Sequence, residues 1–338
     1  MNLTPEQYKS VTIGILEGFK ENSTKHYKAA CEELGIPYEI INFVSPDWIK
    51  NIEQSKADIF VAQPEVWVSV EKQMFDEKFY FLVNAMGKKL YPSFNEFFIY
   101  ENKRNMAYWL EINKMPQPVT KVLYLRYKKL KDLLPCLEGF DFPLVYKTYI
   151  GSAAAGVKIL KNLAETKKLL KKIIKKGFVR SPGNKKDVQW GYAIFQQFIK
   201  DAKEWRVIKI GDSYFGHQKL QSGGFHSGSN KVGWYDPPKE LLFLCKDICD
   251  KGNFSSMALD VLEDKDGNYY VSELQTIFGS YDSSQMYIDG KPGRYIFKEK
   301  DKNWIFEEGY FNQNYSHNLR LEHAVSQVLR ERQQNKAN

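Results

Sequence analysis

The sequence has no apolar run near the roughly 18 residues that would cross a bilayer, so no membrane partner is expected. Its opening residues, Met1-Asn2-Leu3-Thr4-Pro5-Glu6, lack a basic stretch and an apolar core, so no secretory signal is expected and the reading is cytoplasmic. Cysteine is scarce. The four residues (Cys31, Cys136, Cys245, Cys249) form no C-x-x-C pair, and Cys245 and Cys249 have the i,i+4 spacing of a helix's core face. Reduced thiols follow, and the Asn-x-Ser/Thr triplets at Asn22, Asn253 and Asn314 carry no glycosylation meaning in that compartment. There are only five histidines, with no H-E-x-x-H and no triad spacing, which removes zinc peptidase and serine hydrolase readings. G-x-G-x-x-G is missing, as is a P-loop. Despite a net charge of +8, no zinc-finger, RRM or KH signature points to nucleic acid. Much of the positive charge is local: Lys167, Lys168, Lys171, Lys172, Lys175 and Lys176 punctuate Leu169, Leu170, Ile173 and Ile174, the pattern of an amphipathic helix with a solvated lysine face.

What is present begins with a hairpin. Met257-Ala258-Leu259-Asp260-Val261-Leu262 and Tyr269-Tyr270-Val271-Ser272-Glu273-Leu274-Gln275 read as strands flanking Asp266-Gly267, a turn in which Gly supplies positive φ. The two-residue period puts Glu273 and Gln275 on one face, and Asp260 can join them across the hairpin. Three oxygen donors of this kind suit Mg2+, which takes a few carboxylates together with substrate phosphates. The same pattern also suits polar strand residues facing solvent.

Upstream, Phe142-Pro143-Leu144-Val145-Tyr146-Lys147 reads as a buried strand ending in lysine. It runs into the small-residue loop Gly151-Ser152-Ala153-Ala154-Ala155-Gly156. A cation beside backbone N–H groups that ligands can approach closely is a phosphate-binding arrangement. Next come Phe195-Gln196-Gln197-Phe198-Ile199 and Glu204-Trp205-Arg206-Val207-Ile208-Lys209-Ile210-Gly211-Asp212. This ordered set, from strand lysine to Glu-x-Gln, resembles the ATP-grasp superfamily in its glutathione-synthetase-like, carboxylate–amine ligase branch. The resemblance covers roughly residues 91–282.

The resemblance implies mixed α/β and α+β architecture: an ATP-grasp fold preceded by a parallel α/β domain. The expected divisions are 1–95 for that domain, 96–189 for a linker helix and lid, and 190–338 for a catalytic core with a C-terminal helix. Strands near Val11–Leu16, Tyr38–Phe43 and Asp58–Ala62, with a helix near His26–Leu34, fit the first division. Residues 286–295 read as a turn-rich extension, and 318–332 as a helix with one apolar face.

The implied reaction is ATP-dependent. A carboxylate becomes an acyl phosphate, and an amine then displaces phosphate. Lys103 and Lys147 match the phosphate lysines, with Gly151 and Ser152 in the loop beside them. Gln197, Phe198 and Ile199 match the adenine hinge, and Glu204 the ribose acid. Lys219, where an arginine is usual, and Arg206 match catalytic cations. Asp260, Glu273 and Gln275 match the Mg2+ ligands, with Gln275 in place of the usual Asn. His226, Ser227, Gly228 and Ser229 match a loop that meets the acceptor. The expected partners are ATP, a small carboxylate and an amine, and a homodimer is left open. Lys-, Asn- and aromatic-rich usage fits an A/T-rich bacterial source, which suggests a cell-surface sugar acid as the carboxylate. A phosphotransferase acting on a hydroxyl, or a nucleotide-binding module without turnover, are the alternatives.

Overall fold

The computed structural model describes residues 3–20, 23–151, 156–181, 184–221, 231–279 and 282–337. Short apolar strands alternate with helices at the start of the chain, the pattern of a parallel sheet. Strands β1 (Ile13–Glu17), β2 (Tyr38–Asn42), β3 (Ile59–Ala62) and β4 (Leu90–Tyr91) pair in parallel in the order β2-β1-β3-β4. Such a sheet needs cover on both faces. One face sets Ile13, Ile15 and Val61 against Tyr27 and Cys31 of the helix Lys25–Leu34. The other buries Leu16, Phe60 and Ala62 against Phe75, Phe79 and Leu82.

The helix His317–Ala337 completes the first face. Its Leu321, Ala324, Val325 and Val328 share one cluster with β1 and β3. Arg332 donates to Ser10 O at 2.8 Å and to Asp58 Oδ1 at 2.6 Å. The apolar stripe expected for 318–332 packs on the N-terminal sheet, while the same helix also reaches the core, where Arg320 donates to Thr276 O at 2.8 Å and Gln327 to Ser255 Oγ at 3.0 Å.

The next sheet runs antiparallel in the order β5-β10-β6-β7, from β5 (Thr120–Tyr124), β6 (Leu144–Lys147), β7 (Val157–Leu160) and β10 (Tyr192–Gln197). Between β7 and β10 lie the helix Leu163–Lys176 and a separate hairpin of β8 (Phe178–Ser181) and β9 (Asn184–Gln189). Leu169, Leu170 and Ile173 of that helix pack on Leu144 and Phe195, leaving Lys168, Lys171, Lys172, Lys175 and Lys176 exposed. Because β10 hydrogen-bonds to both β5 and β6, the lid continues through Gln197, past the expected boundary at 189.

The core sheet is antiparallel in the order β15-β14-β11-β12-β17-β16. It comprises β11 (Lys203–Ile210), β12 (Ser213–Lys219), β14 (Ser256–Glu263), β15 (Tyr269–Gln275), β16 (Tyr287–Ile288) and β17 (Lys291–Lys298). β13 (Val232–Gly233) adds to β12, and β18 (Asn303–Glu308) to β17. The segment expected as turns from 286 to 295 therefore extends this sheet. Tyr295 and Trp304 are buried in its core, so packing decides here over the turn-rich composition. Trp205, Val207, Leu259 and Val261 join Leu241, Cys245, Ile248 and Cys249 of the helix Lys239–Gly252 in one cluster. The β14–β15 turn forms as expected. Gly267 has φ 80°, and Asp264 Oδ1 accepts from the N–H groups of Asp266 and Asn268, each at 2.9 Å.

Candidate functional site

Antiparallel register builds the site. Glu204 lies opposite Lys219, Arg206 opposite Asp260, and Asp260 opposite Glu273. These pairs stand on one face of the core sheet, away from the Trp205–Val207 face that packs on the helix. The β14–β15 pairing shifts register between Asp260 and Val261. This bulge leaves Ser272 as the extra residue and keeps both Val271 and Glu273 in step with their partners.

Lid and core face each other across a cleft of 160 Å3. Its apolar wall includes Val145, Val157, Ile159, Phe198 and Leu262. Lys147, Gly151, Gln197, Ile199, Glu204 and Glu273 also line it. The expected strand lysine, loop glycine, hinge and ribose acid therefore converge. Within the hinge, the Gln197 side chain is tied to the lid, accepting from Asp141 N at 3.0 Å and donating to Asp141 O at 3.1 Å. The hinge backbone is held as well, since Gln197 N donates to Val119 O at 2.8 Å.

A charged network closes one end. Arg206 binds both carboxylate oxygens of Asp260, with Nε 2.7 Å from Oδ1 and Nη2 2.8 Å from Oδ2. Nη2 also donates to Gln275 Oε1 at 3.3 Å. Lys219 Nζ lies 3.0 Å from Asp260 Oδ2 and pairs with Glu204. Lys103 Nζ donates to Gly151 O at 2.6 Å and lies 3.1 Å from Glu273 Oε1. Gln275 Nε2 donates to Glu273 Oε2 at 2.7 Å. Lys147 differs: among the described residues no hydrogen bond to its Nζ is formed, although it is buried.

Burial sets the electrostatics, and neighbours decide the sign. Desolvation pushes the Asp260 carboxyl up, but Arg206 and Lys219 outweigh it and hold the group well below the usual range. Glu273 is likewise pushed up by burial, then held below its ordinary value by Lys103 and Lys147. Lys103 and Lys219 lose from burial and gain more from their acids, so both are raised. Lys147 is the exception: burial lowers it to about 8, with Lys103 adding to the fall and Glu273 only partly offsetting it.

Asp260, Glu273 and Gln275 are brought together as expected. Two carboxylates and an amide oxygen form a hard donor set of the type Mg2+ shares with phosphate oxygens. Among the described residues no three His, Cys, Asp or Glu side chains converge on a metal position. Asp260 is already engaged by two cations. The donors therefore fit a cation completed by phosphate better than one held by protein alone. Ser152 and the segment His226, Ser227, Gly228 and Ser229 lie outside the described residues. His217 is a core residue: burial, then Arg206, pushes it down to about 3, and its Nδ1 lies 3.1 Å from Gln285 O.

Sequence reasoning missed Glu101 and Gln189. Buried Glu101 accepts from Gly151 N at 2.9 Å, and Gln189 Oε1 accepts from Tyr149 N at 2.8 Å, so both fix the start of the small-residue loop. Glu101 has φ 49°, a backbone state that no motif announces.

No protein-family model matches the chain, and no curated protein matches it in sequence. Solved structures do match. D-alanine–D-alanine ligase from Bacillus anthracis, complexed with ATP, is 15% identical with a TM-score of 0.59, covering 96% of this chain and 99% of that one. An N5-carboxyaminoimidazole ribonucleotide synthetase in complex with ADP is 14% identical with a TM-score of 0.58, covering 80% of this chain and 71% of that one. A RimK-domain ATP-grasp protein from Sphaerobacter thermophilus is 13% identical with a TM-score of 0.53, covering 78% of this chain and 90% of that one. Shared architecture at such low identity establishes the fold, and the chain has the ATP-grasp fold.

Proposed function

We propose that the protein is an ATP-dependent carboxylate–amine ligase that forms an amide through an acyl phosphate. The observation that carries this reading is the charged end of the cleft. Lys103, Lys147, Arg206 and Lys219 meet Glu204, Asp260 and Glu273 where the lid loop faces the core sheet. Phosphoryl transfer depends mostly on positioning and charge neutralisation, which such a cluster supplies. The neighbours solved with ATP and ADP are themselves a ligase and a synthetase, which supports the reading.

The apolar wall and the hinge backbone at 197–199 would hold adenine, and Glu204 would accept from ribose. Lys147 and Lys103, from opposite sides of the loop, would hold phosphate oxygens. Arg206 and Lys219 would orient Asp260 and neutralise the transferred group. Mg2+ held by Asp260, Glu273 and Gln275 would supply further charge neutralisation. In the first half-reaction the carboxylate oxygen takes the γ-phosphoryl group and ADP leaves. In the second the amine bonds to the carbonyl carbon, the C–O bond to phosphate breaks, and the amine loses a proton. Lid closure would keep water from the acyl phosphate.

The substrates are to be found by screening acids and amines, sugar acids included, for ADP release. Hydroxylamine then replaces the amine. A ligase yields a hydroxamate with ATP and the right acid. Formation of a stable phosphate ester without hydroxamate would instead make the protein a phosphotransferase, and nucleotide binding with no ADP under any pairing would make it a binding module.

A further inference from the structure

A second cavity, of 670 Å3, opens on the other side of Gln275. It lies between the N-terminal unit, which contributes Lys20, Lys25, Glu65 and Trp67, and the core, which contributes Gln275. A space of this size suits a small molecule. Gln275 links it to the nucleotide cleft, because its amide donates to Glu273 on the cleft wall. Glu101 is a second link. It lines this cavity, and its Oε2 accepts at 2.9 Å from the N–H of Gly151, which lines the cleft.

The charged groups of the cavity differ in how they are engaged. Lys20 and Lys25 are exposed, and Lys20 Nζ lies 5.2 Å from the Trp67 ring centroid. Glu65 is half-buried, and its Oε2 accepts from Lys20 N at 2.8 Å. Glu101 is only 8% exposed, and among the described residues no cation lies within ion-pair distance of it. Lys103, two residues on, is engaged by Glu273 and by Gly151 O. A carboxylate buried to this degree is ordinarily paired with a cation. Here a neutral N–H holds one oxygen, and the charge stands at the wall of a cavity that adjoins the reacting end of the cleft. Near neutral pH an aliphatic amine enters such a cavity as a cation, as a lysine side chain would.

We propose that Glu101 seats the ammonium group of an aliphatic amine co-substrate and takes one of its protons as the nitrogen attacks the acyl phosphate. This role rests on the ligase reading. The N–C bond forms and the C–O bond to phosphate breaks. Of the three ammonium protons, one stays on the amide, one leaves with the phosphate, and one passes to Glu101 and then to solvent.

Hydroxylamine tests the role, because it is largely neutral near neutral pH and brings no charge to be seated. Glu101→Gln keeps an oxygen for Gly151 N and loses both the charge and the basic site. Its affinity for a non-hydrolysable ATP analogue should match that of the wild type, which also reports intact folding. With an acid and an aliphatic amine that support ADP release, kcat/KM for the amine should fall about a hundredfold or more, while hydroxamate formation stays within about twofold. Glu101→Asp, which keeps the charge, should recover part of the amide synthesis. Equal loss of both reactions in Glu101→Gln, or loss of neither, overturns the role and leaves the ligase reading standing. Loss of analogue affinity in both variants makes Glu101 an anchor of the loop alone and overturns the role as well. No hydroxamate from the wild type with any acid removes the ligase reading, and this role with it.

Discussion

Lys147 is the residue on which nucleotide affinity should turn. Its ammonium pKa is held near 8 by burial, and no hydrogen bond to it forms among the described residues. A phosphate contact would raise that value, so binding takes up a proton once the pH passes about 8. ATP affinity should be level below that pH and fall above it by up to about tenfold per pH unit. Lys147→Met should lose about 1.5–3 kcal/mol of binding and show no such fall, read by titration calorimetry across the range. A parallel fall in wild type and variant would assign the titration elsewhere. The same depression opposes folding at lower pH. Between about 8 and the ordinary 10.5 the unfolded chain binds more protons at this residue, so stability should rise across that window. Glu273→Gln, nearly isosteric, should keep the fold and abolish ADP release, because it removes the charge shared by Lys103 and the proposed Mg2+. Normal turnover in that variant would displace the metal assignment. At this scale the sequence was legible where side-chain period suffices: alternation put Glu273 and Gln275 on one face with Asp260 able to join them, whereas the direct Asp260–Glu273 pairing is set by the bulge at Ser272, which no motif announces. Glu101 was not legible, because its role depends on a long-range bond to Gly151.

Elements carry the next level. The end of the small-residue loop is fixed by Gly156, whose φ is 78°, and a Cβ there would lie 2.0 Å from Thr148 Oγ1. That hydroxyl donates to Ile150 O at 2.7 Å, while Thr148 N donates to Gly156 O at 3.1 Å. Gly156→Ala therefore cannot fit without breaking the turn that carries Lys147 into the loop. The expected result is a loss of ATP affinity of tenfold or more with a smaller loss of stability, about 1–3 kcal/mol, checked by pairing calorimetry with urea unfolding. Unchanged affinity would mean that the loop does not touch nucleotide. The Asp266-Gly267 hairpin was legible because its turn chemistry is local. β10 was placed on the wrong side of the lid boundary because sheet membership is settled by partners far away in sequence, here β5 and β6. β16 to β18 were hidden by Gly, Pro and Asp residues that mark the turns between strands as readily as they mark loops.

For the whole molecule, three layers of organisation meet at the helix His317–Ala337. Its inner face buries Leu321 beside Val11 and Ile13, while Arg320 donates to Thr276 O at 2.8 Å, directly after Gln275. Leu321→Ala should cost about 2–5 kcal/mol by opening a cavity in a filled core, measured by urea unfolding. A cost under about 1 kcal/mol would show that this face is not a packed interior. The same feature governs how the protein is made. The parallel sheet near the start of the chain is finished by a segment that follows it by more than two hundred residues of synthesis. At about 5–20 residues per second, β1 and β3 leave the ribosome with that face covered only in part, by the helix Lys25–Leu34, for ten seconds or longer. Through that interval the nascent chain offers an apolar surface of Val, Ile and Tyr side chains to any chaperone in reach. Chains stalled before residue 317 should be captured there, and chains stalled after the helix emerges should be released.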